Sequence, residues 1–166
     1  LYDIKTRKLD YLKKIKRKTA ILIAFACVAG SIVADASNED IRSAFSYGYY
    51  LGMSYQIIDD YLDFVGGAQN LGKEVGQDLM NGNITLPALL AKEEKPELFY
   101  NFTKETKSEE KEKIINYIKN NDKVLSETLA VSRRYLEKAQ ESIDNIDSTV
   151  KTELTFIMNK LARREN

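Results

Sequence analysis

Gln56, Asp59, Asp60 and Asp63 carry the densest chemistry in the chain, in the segment Tyr55-Gln56-Ile57-Ile58-Asp59-Asp60-Tyr61-Leu62-Asp63-Phe64. On a helix, turning about 100° per residue, Asp63 lies about 40° from Asp59, Gln56 about 60° and Asp60 about 100°. The four polar groups therefore share one arc, while Ile57, Ile58, Tyr61 and Leu62 fill other directions and can anchor the helix in a bundle. Carboxylates one helical turn apart repel mildly. A hard divalent cation relieves that conflict, since Mg²⁺ takes oxygen ligands and keeps several waters and substrate phosphates. A solvated acidic face explains a bare D-x-x-D pattern as well. Here the acids sit among apolar residues, and a loop suited to phosphate follows.

That loop is Gly72-Lys73-Glu74-Val75-Gly76-Gln77-Asp78-Leu79. Glycines let backbone amides approach an anion, and a lysine supplies a mobile point charge. Alone the pattern is weak, because it lacks the Walker spacing and glycine-lysine pairs are common in turns. Its value comes from following the acidic helix directly. A third candidate is Lys18-Thr19, at the start of the most apolar run. Lys18 is either a side chain snorkelling to the surface or an ammonium directed into a cavity to hold a diphosphate. The spacing leaves both open.

The elements that must position these groups read as helices almost throughout. Ala, Leu, Ile, Lys and Glu dominate, with two prolines and no tryptophan, which favours an all-α chain. At 166 residues the chain is long enough for one domain with its own core. Leu9 to Ala34 reads as one helix, with Leu12, Ile15, Thr19, Leu22 and Ala26 at helical spacing. Its apolar part, Thr19 to Ala36, is short for a membrane span and reads as a buried core helix. Asp35 to Asn38 is a break, with Ser37 or Asn38 as cap for a second helix over Glu39 to Phe64. Gly66 to Asn83 is a loop. Helices follow near Ile84 to Glu93, Leu98 to Phe102, Ser108 to Asn120 with a capping pattern at Ser108, Asp122 to Ile146 and Ser148 to Arg164. Tyr135, Leu136, Ala139 and Ile143 form an apolar stripe expected in the core. Arg163 and Arg164 suit a solvated helix end.

Composition excludes several classes. Acids and bases balance at 25 each, which argues against a nucleic-acid partner. No histidine is present, so histidine catalysis and ligation are ruled out. The lone Cys27 cannot form an internal disulfide and reads as packing. No signal-peptide pattern opens the chain, and a cytoplasmic setting without stable membrane insertion is expected. The opening Leu1-Tyr2-Asp3-Ile4-Lys5 reads as the tail of an element already under way.

Taken together, three ordered strings resemble the trans-polyprenyl diphosphate synthase family. They are Tyr11-Leu12-x-x-Ile15-x-x-Lys18-Thr19-Ala20, then Gly52-x-x-Tyr55-Gln56-Ile57-x-Asp59-Asp60-x-x-Asp63, then Gly72-Lys73-x-x-Gly76-x-Asp78-Leu79-x-x-Gly82-x-x-Thr85-Leu86-Pro87. The resemblance covers residues 1 to about 90, and the rest through helical pattern alone. It implies an isoprenoid-synthase-type helical bundle around a central cavity. It also implies condensation of isopentenyl diphosphate with an allylic diphosphate, with Mg²⁺ held by two aspartate-rich motifs on facing helices. By position, Asp59 would be a direct metal ligand, and Asp60 and Asp63 would bind the metal or its waters. Lys18 and Lys73 would contact the allylic diphosphate. Thr19 and Gln56 would face the reacting carbons and steady the cation.

The departures are informative. The first aspartate-rich motif is absent, as are the arginines near it, so residues 1–166 read as the C-terminal part of a synthase domain, inactive alone. Asn83 stands where many members carry lysine. Gly82-Asn83 resembles the catalytic large subunit of bacterial heptaprenyl diphosphate synthase, which implies a homodimer or a heterodimer with a small subunit, and a place in menaquinone biosynthesis. Competing readings are a class I terpene cyclase or squalene-synthase-like enzyme, a non-catalytic helical subunit on the same fold, and a plain structural bundle. The Lys18-Thr19 and Gly72-Lys73 context favours elongation over the first, and the intact acids count against the second.

Overall fold

The computed structural model describes residues 2–66 and 75–165, and its regular elements there are helical. The chain is organised as two compact units. One comprises Leu1–Tyr11 and Asp59–Ala130, the other Leu12–Ile58 and Val131–Asn166.

The expected first helix is present but not uniform. Helix α1 (Lys8–Ile15) passes into a π-helical turn, Lys16–Ala20, closed by the Ile21 N–H bonding to the Lys16 carbonyl five residues back. Helix α2 (Ile21–Val33) continues from it. Along this stretch the buried positions are Tyr11, Ile15, Ala20 and Ala24. The middle interval is five because a π-turn holds an extra residue. Asp35, at φ 50°, ends α2. The Asp35 and Ala36 amides bond back to the Ile32 and Ser31 carbonyls, which satisfies the last turn as a Schellman motif does.

Helix α3 (Asn38–Val65) begins at Ser37, whose Oγ accepts the Asp40 N–H at 3.1 Å and donates to the Asp40 carboxylate at 2.7 Å. It packs on α2 along a seam of small residues. A Cβ on Gly48 would lie 2.8 Å from Ala24 Cα, and one on Gly52 would lie 2.6 Å from Ala20 Cα, so only glycine permits this approach. The seam buries alanines, and the rest of α2 is left outside. Leu22, Phe25, Ile32 and Val33 are exposed, Val33 at 86%. The expected buried core helix is thus buried on one narrow stripe only, because no described neighbour covers its other faces.

Helix α7 (Asp122–Ser142) gives Leu136 and Ala139 to the core, with Ile143 just beyond it, and Tyr135 is half-buried. It stops before the expected Ile146, where i→i−3 bonds from Ile143 and Asp144 tighten the end. Helix α8 (Ser148–Ala162) is capped by Asp147, which accepts from the Thr149 and Val150 amides. A 3₁₀ turn, Arg163–Glu165, closes the chain. Ser54 and Ser132 share a buried 2.8 Å hydrogen bond, and the Tyr47 hydroxyl donates to the Leu154 carbonyl at 2.7 Å.

The unit that includes Asp59–Ala130 contains α4 (Gln77–Met80), α5 (Leu86–Glu94), a 3₁₀ turn Pro96–Phe99 and α6 (Ser108–Lys119). Helix α5 is buried from Leu86 to Ala91, and Pro87 occupies its first turn, where no backbone donor is needed. The capping pattern at Ser108 is not realised. Lys107 is the cap residue, with no side-chain bond, because its carbonyl already accepts the Glu110 and Lys111 amides and draws Ser108 into the helix. No helix of the described residues is long and apolar enough to cross a membrane.

Candidate active site

Asp59, Asp60 and Asp63 occupy the C-terminal turns of α3, and their surroundings differ. Asp59 is exposed, Asp60 is buried and Asp63 is half-buried. The buried Tyr11 hydroxyl, from α1, donates to Asp60 Oδ2 at 2.7 Å. Asp63 Oδ2 accepts the Asp78 N–H at 3.1 Å, and the Asp63 carbonyl accepts the Gly76 N–H at 2.7 Å. Gly76 and Asp78 are thereby tied onto the acidic turn. Gly76 makes this possible: it has φ 75°, and a Cβ there would strike the Ile115 side chain at 2.6 Å.

Burial pushes the Asp63 carboxyl above the ordinary carboxylate range. The Asp78 amide opposes that rise, the Asp78 carboxylate adds to it, the Gln77 amide opposes it, and the Asp59 charge adds to it. Asp78 in turn accepts from Asn83 Nδ2 at 2.8 Å, and its carbonyl accepts the Asn83 N–H. The residue that departs from the usual lysine therefore braces the loop within its own unit. Lys73 and Gly72 lie outside the described residues.

In the other unit, Lys18 and Thr19 fall within the π-turn. Such turns are rare and occur often at functional sites. Lys18 is exposed and Thr19 half-buried. Thr19 Oγ1 donates to Gln56 Oε1 at 2.6 Å, so these two candidates are joined. The Arg164 guanidinium sits 5.1 Å from the Tyr55 ring centroid, at cation–π distance, one residue before Gln56. The exposed helix end expected for Arg164 is therefore also a stacking contact.

Tyr11, Asp78 and Asn83 were not given roles by sequence reasoning. Tyr11 bonds to a residue 49 positions away, which periodicity cannot reveal. Among the described residues no group of three acids converges to hold a metal by itself. The donor set nevertheless suits Mg²⁺, which needs few protein carboxylates and draws its other ligands from water and phosphate. The like charges around Asp63 are what such a cation would offset.

Comparison with known proteins shows the family. The polyprenyl synthetase family matches residues 2–119. Heptaprenyl diphosphate synthase component 2 of Bacillus subtilis (strain 168) is 43% identical over 148 residues, covering 87% of this chain and 42% of that protein. The crystal structure of heptaprenyl diphosphate synthase from Staphylococcus aureus superposes with a TM-score of 0.92 at 36% identity, covering 99% of this chain and 53% of that one. A polyprenyl synthase from Caulobacter crescentus CB15, solved with calcium and isoprenyl diphosphate, gives 0.83 at 28% identity, covering 99% and 51%. The chain thus spans about half the length of the relatives it matches. Its all-α architecture is that of these synthases, and the chain belongs to the polyprenyl synthetase family.

Proposed function

We propose that this chain is the C-terminal part of a Mg²⁺-dependent prenyltransferase that condenses isopentenyl diphosphate with an allylic diphosphate to make a longer trans-polyprenyl diphosphate. The observation that carries this reading is the acidic end of α3, where the Gly76 and Asp78 amides bond to Asp63 and Asn83 braces Asp78. The Caulobacter relative, solved with a divalent cation and an isoprenyl diphosphate, supports the ligand classes.

Within this reading, Asp59 and Asp63 hold the metal, with Asp60 beside them in the same turn. Bound Mg²⁺ would neutralise the charge that builds on a departing diphosphate. Lys18 and Lys73 contact that diphosphate as point charges, which favours the charge-separated state. Thr19 donates its proton to Gln56, so its oxygen lone pairs are free to be turned toward an allylic cation. That arrangement steadies positive charge without presenting a nucleophile strong enough to trap it.

The name component 2 borne by the Bacillus relative supports a further component as partner; the arrangement proposed is a heterodimer with a small subunit, with a homodimer as the other. A cytoplasmic enzyme supplying menaquinone biosynthesis belongs to the same reading. The test is incorporation of radiolabelled isopentenyl diphosphate by the complete protein, with partner subunit if one exists. Asp59→Ala with Asp63→Ala should abolish it, by at least about a thousandfold if metal and diphosphate charge are both mishandled. Normal turnover in that double variant would overturn the assignment.

A further inference from the structure

Tyr11 and Asp60 are both nearly sealed from water, at 2% and 4% exposure, and the phenol oxygen lies 2.7 Å from Asp60 Oδ2. A phenol has one proton, so here it donates and the carboxylate accepts, in a charge-assisted bond. The neighbouring Asp59 is exposed, and Asp63 is half-buried one turn on. Residues four apart on a helix return to within about 40°, whereas successive residues turn by about 100°. Asp59 and Asp63 therefore form one edge of α3, and Asp60 turns away from it toward Tyr11. Mg²⁺ keeps several waters and dehydrates reluctantly, so a carboxylate serving it needs an oxygen that water can reach.

We propose that Tyr11 is a positioning residue for the acidic turn, and that Asp60 is the buried anchor it holds, leaving Asp59 and Asp63 as the metal-binding edge. This partition rests on the metal-binding reading of the turn. A carboxylate fixed at one azimuth of the helix sets the azimuth of its neighbours, because the backbone between them is rigid. Rotation of the α3 terminus by one residue would expose Asp60 and withdraw Asp59. Groups that orient ligands without touching the metal commonly carry about tenfold to a hundredfold in metal affinity.

The experiment is Mn²⁺ binding by the complete protein in the presence of inorganic pyrophosphate, read from the paramagnetic resonance of the free ion. Asp59→Asn and Asp63→Asn should each weaken binding by about tenfold or more. Asp60→Asn keeps an acceptor for Tyr11 and should stay within about threefold of the parent. Tyr11→Phe and Asp60→Ala should each weaken binding by about tenfold, and combining them should cost less than the two losses added, since both remove the same hydrogen bond.

If Asp60→Asn loses as much as Asp59→Asn, Asp60 is a ligand and the partition is wrong. If Tyr11→Phe folds and binds Mn²⁺ as the parent does, the pair is only structural and the proposal falls. Should Tyr11→Phe not fold, the contrast between Asp60→Asn and Asp60→Ala decides: equal affinities refute the anchor. A parent that takes up no Mn²⁺, or is indifferent to changes at Asp59 and Asp63, refutes the metal reading itself and is recognisable as that separate failure.

Discussion

At the scale of single residues, the acidic turn shows how one sequence motif divides into unlike environments. Asp60 is sealed beneath Tyr11, while Asp63 meets the Asp78 amide. The three acids, Gln56 and the Lys18-Thr19 pair stand out as candidates by residue type and spacing, and the Thr19–Gln56 hydrogen bond joins two of them. Tyr11 was legible only as a letter in a resemblance, since its role comes from a contact across 49 positions of sequence. Glycines offer a second residue-scale test. Helix propensity favours alanine over glycine by about 1 kcal/mol. Gly30 meets nothing within 4 Å of an added Cβ, so Gly30→Ala should gain up to that amount. Gly52→Ala would put its Cβ 2.6 Å from the Ala20 backbone, where overpacking of about 1–3 kcal/mol outweighs propensity. Urea denaturation of the pair should therefore move the midpoint in opposite directions.

At the scale of elements, helix α3 was readable to within a residue at each end because caps and periodicity agree there. Helix α1–α2 was readable in extent but not in face. The spacing points to Leu12, Ile15, Thr19, Leu22 and Ala26; of these Ile15 is buried, and its buried companions are Tyr11, Ala20 and Ala24 instead. A uniform 3.6-residue period cannot anticipate a five-residue turn. The Ser108 pattern failed for a different reason: the preceding carbonyl had already begun the helix. The start of α8 gives a test at this scale. The Val150 and then the Thr149 amides hold the Asp147 carboxyl below the ordinary carboxylate range. A carboxyl with a lowered folded-state pKa stabilises above its unfolded value, about 3.9, and loses that contribution as pH falls through the folded one. Asp147→Ala should lower Tm at neutral pH, and the gap to the parent should close in acid. Asp147→Asn should keep most of the cap at neutral pH without that acid dependence. Thermal melts from pH 7 to 2 would show both.

At the scale of the whole molecule, the exposed apolar surface stands out. Leu22, Phe25, Ile32 and Val33 on α2, with Phe156 and Ile157 on α8, are exposed in a chain that spans about half of its relatives. Contiguous apolar surface is uncommon on a free-standing protein, and Leu22 and Phe25 fall three residues apart on one face of α2. The 166-residue chain on its own should therefore self-associate. In sedimentation velocity, Leu22→Lys with Phe25→Glu should shift it toward monomer. A monodisperse parent chain at tens of micromolar would contradict this. Composition announced the apolar run, but which side of it meets a neighbour depends on the seam of Ala20, Ala24, Gly48 and Gly52, which is a tertiary matter.

The widened turn at Lys16–Ala20 has one more implication. Because the surplus residue is absorbed within a single loop of the spiral, the segments before and after it keep their interior sides aligned, and neither has to be rewritten to accommodate it. Novelty is thereby confined to one storey of the helix, the one that displays Lys18 and Thr19. A change at the exposed Lys18 leaves the buried stripe of Ile15, Ala20 and Ala24 untouched.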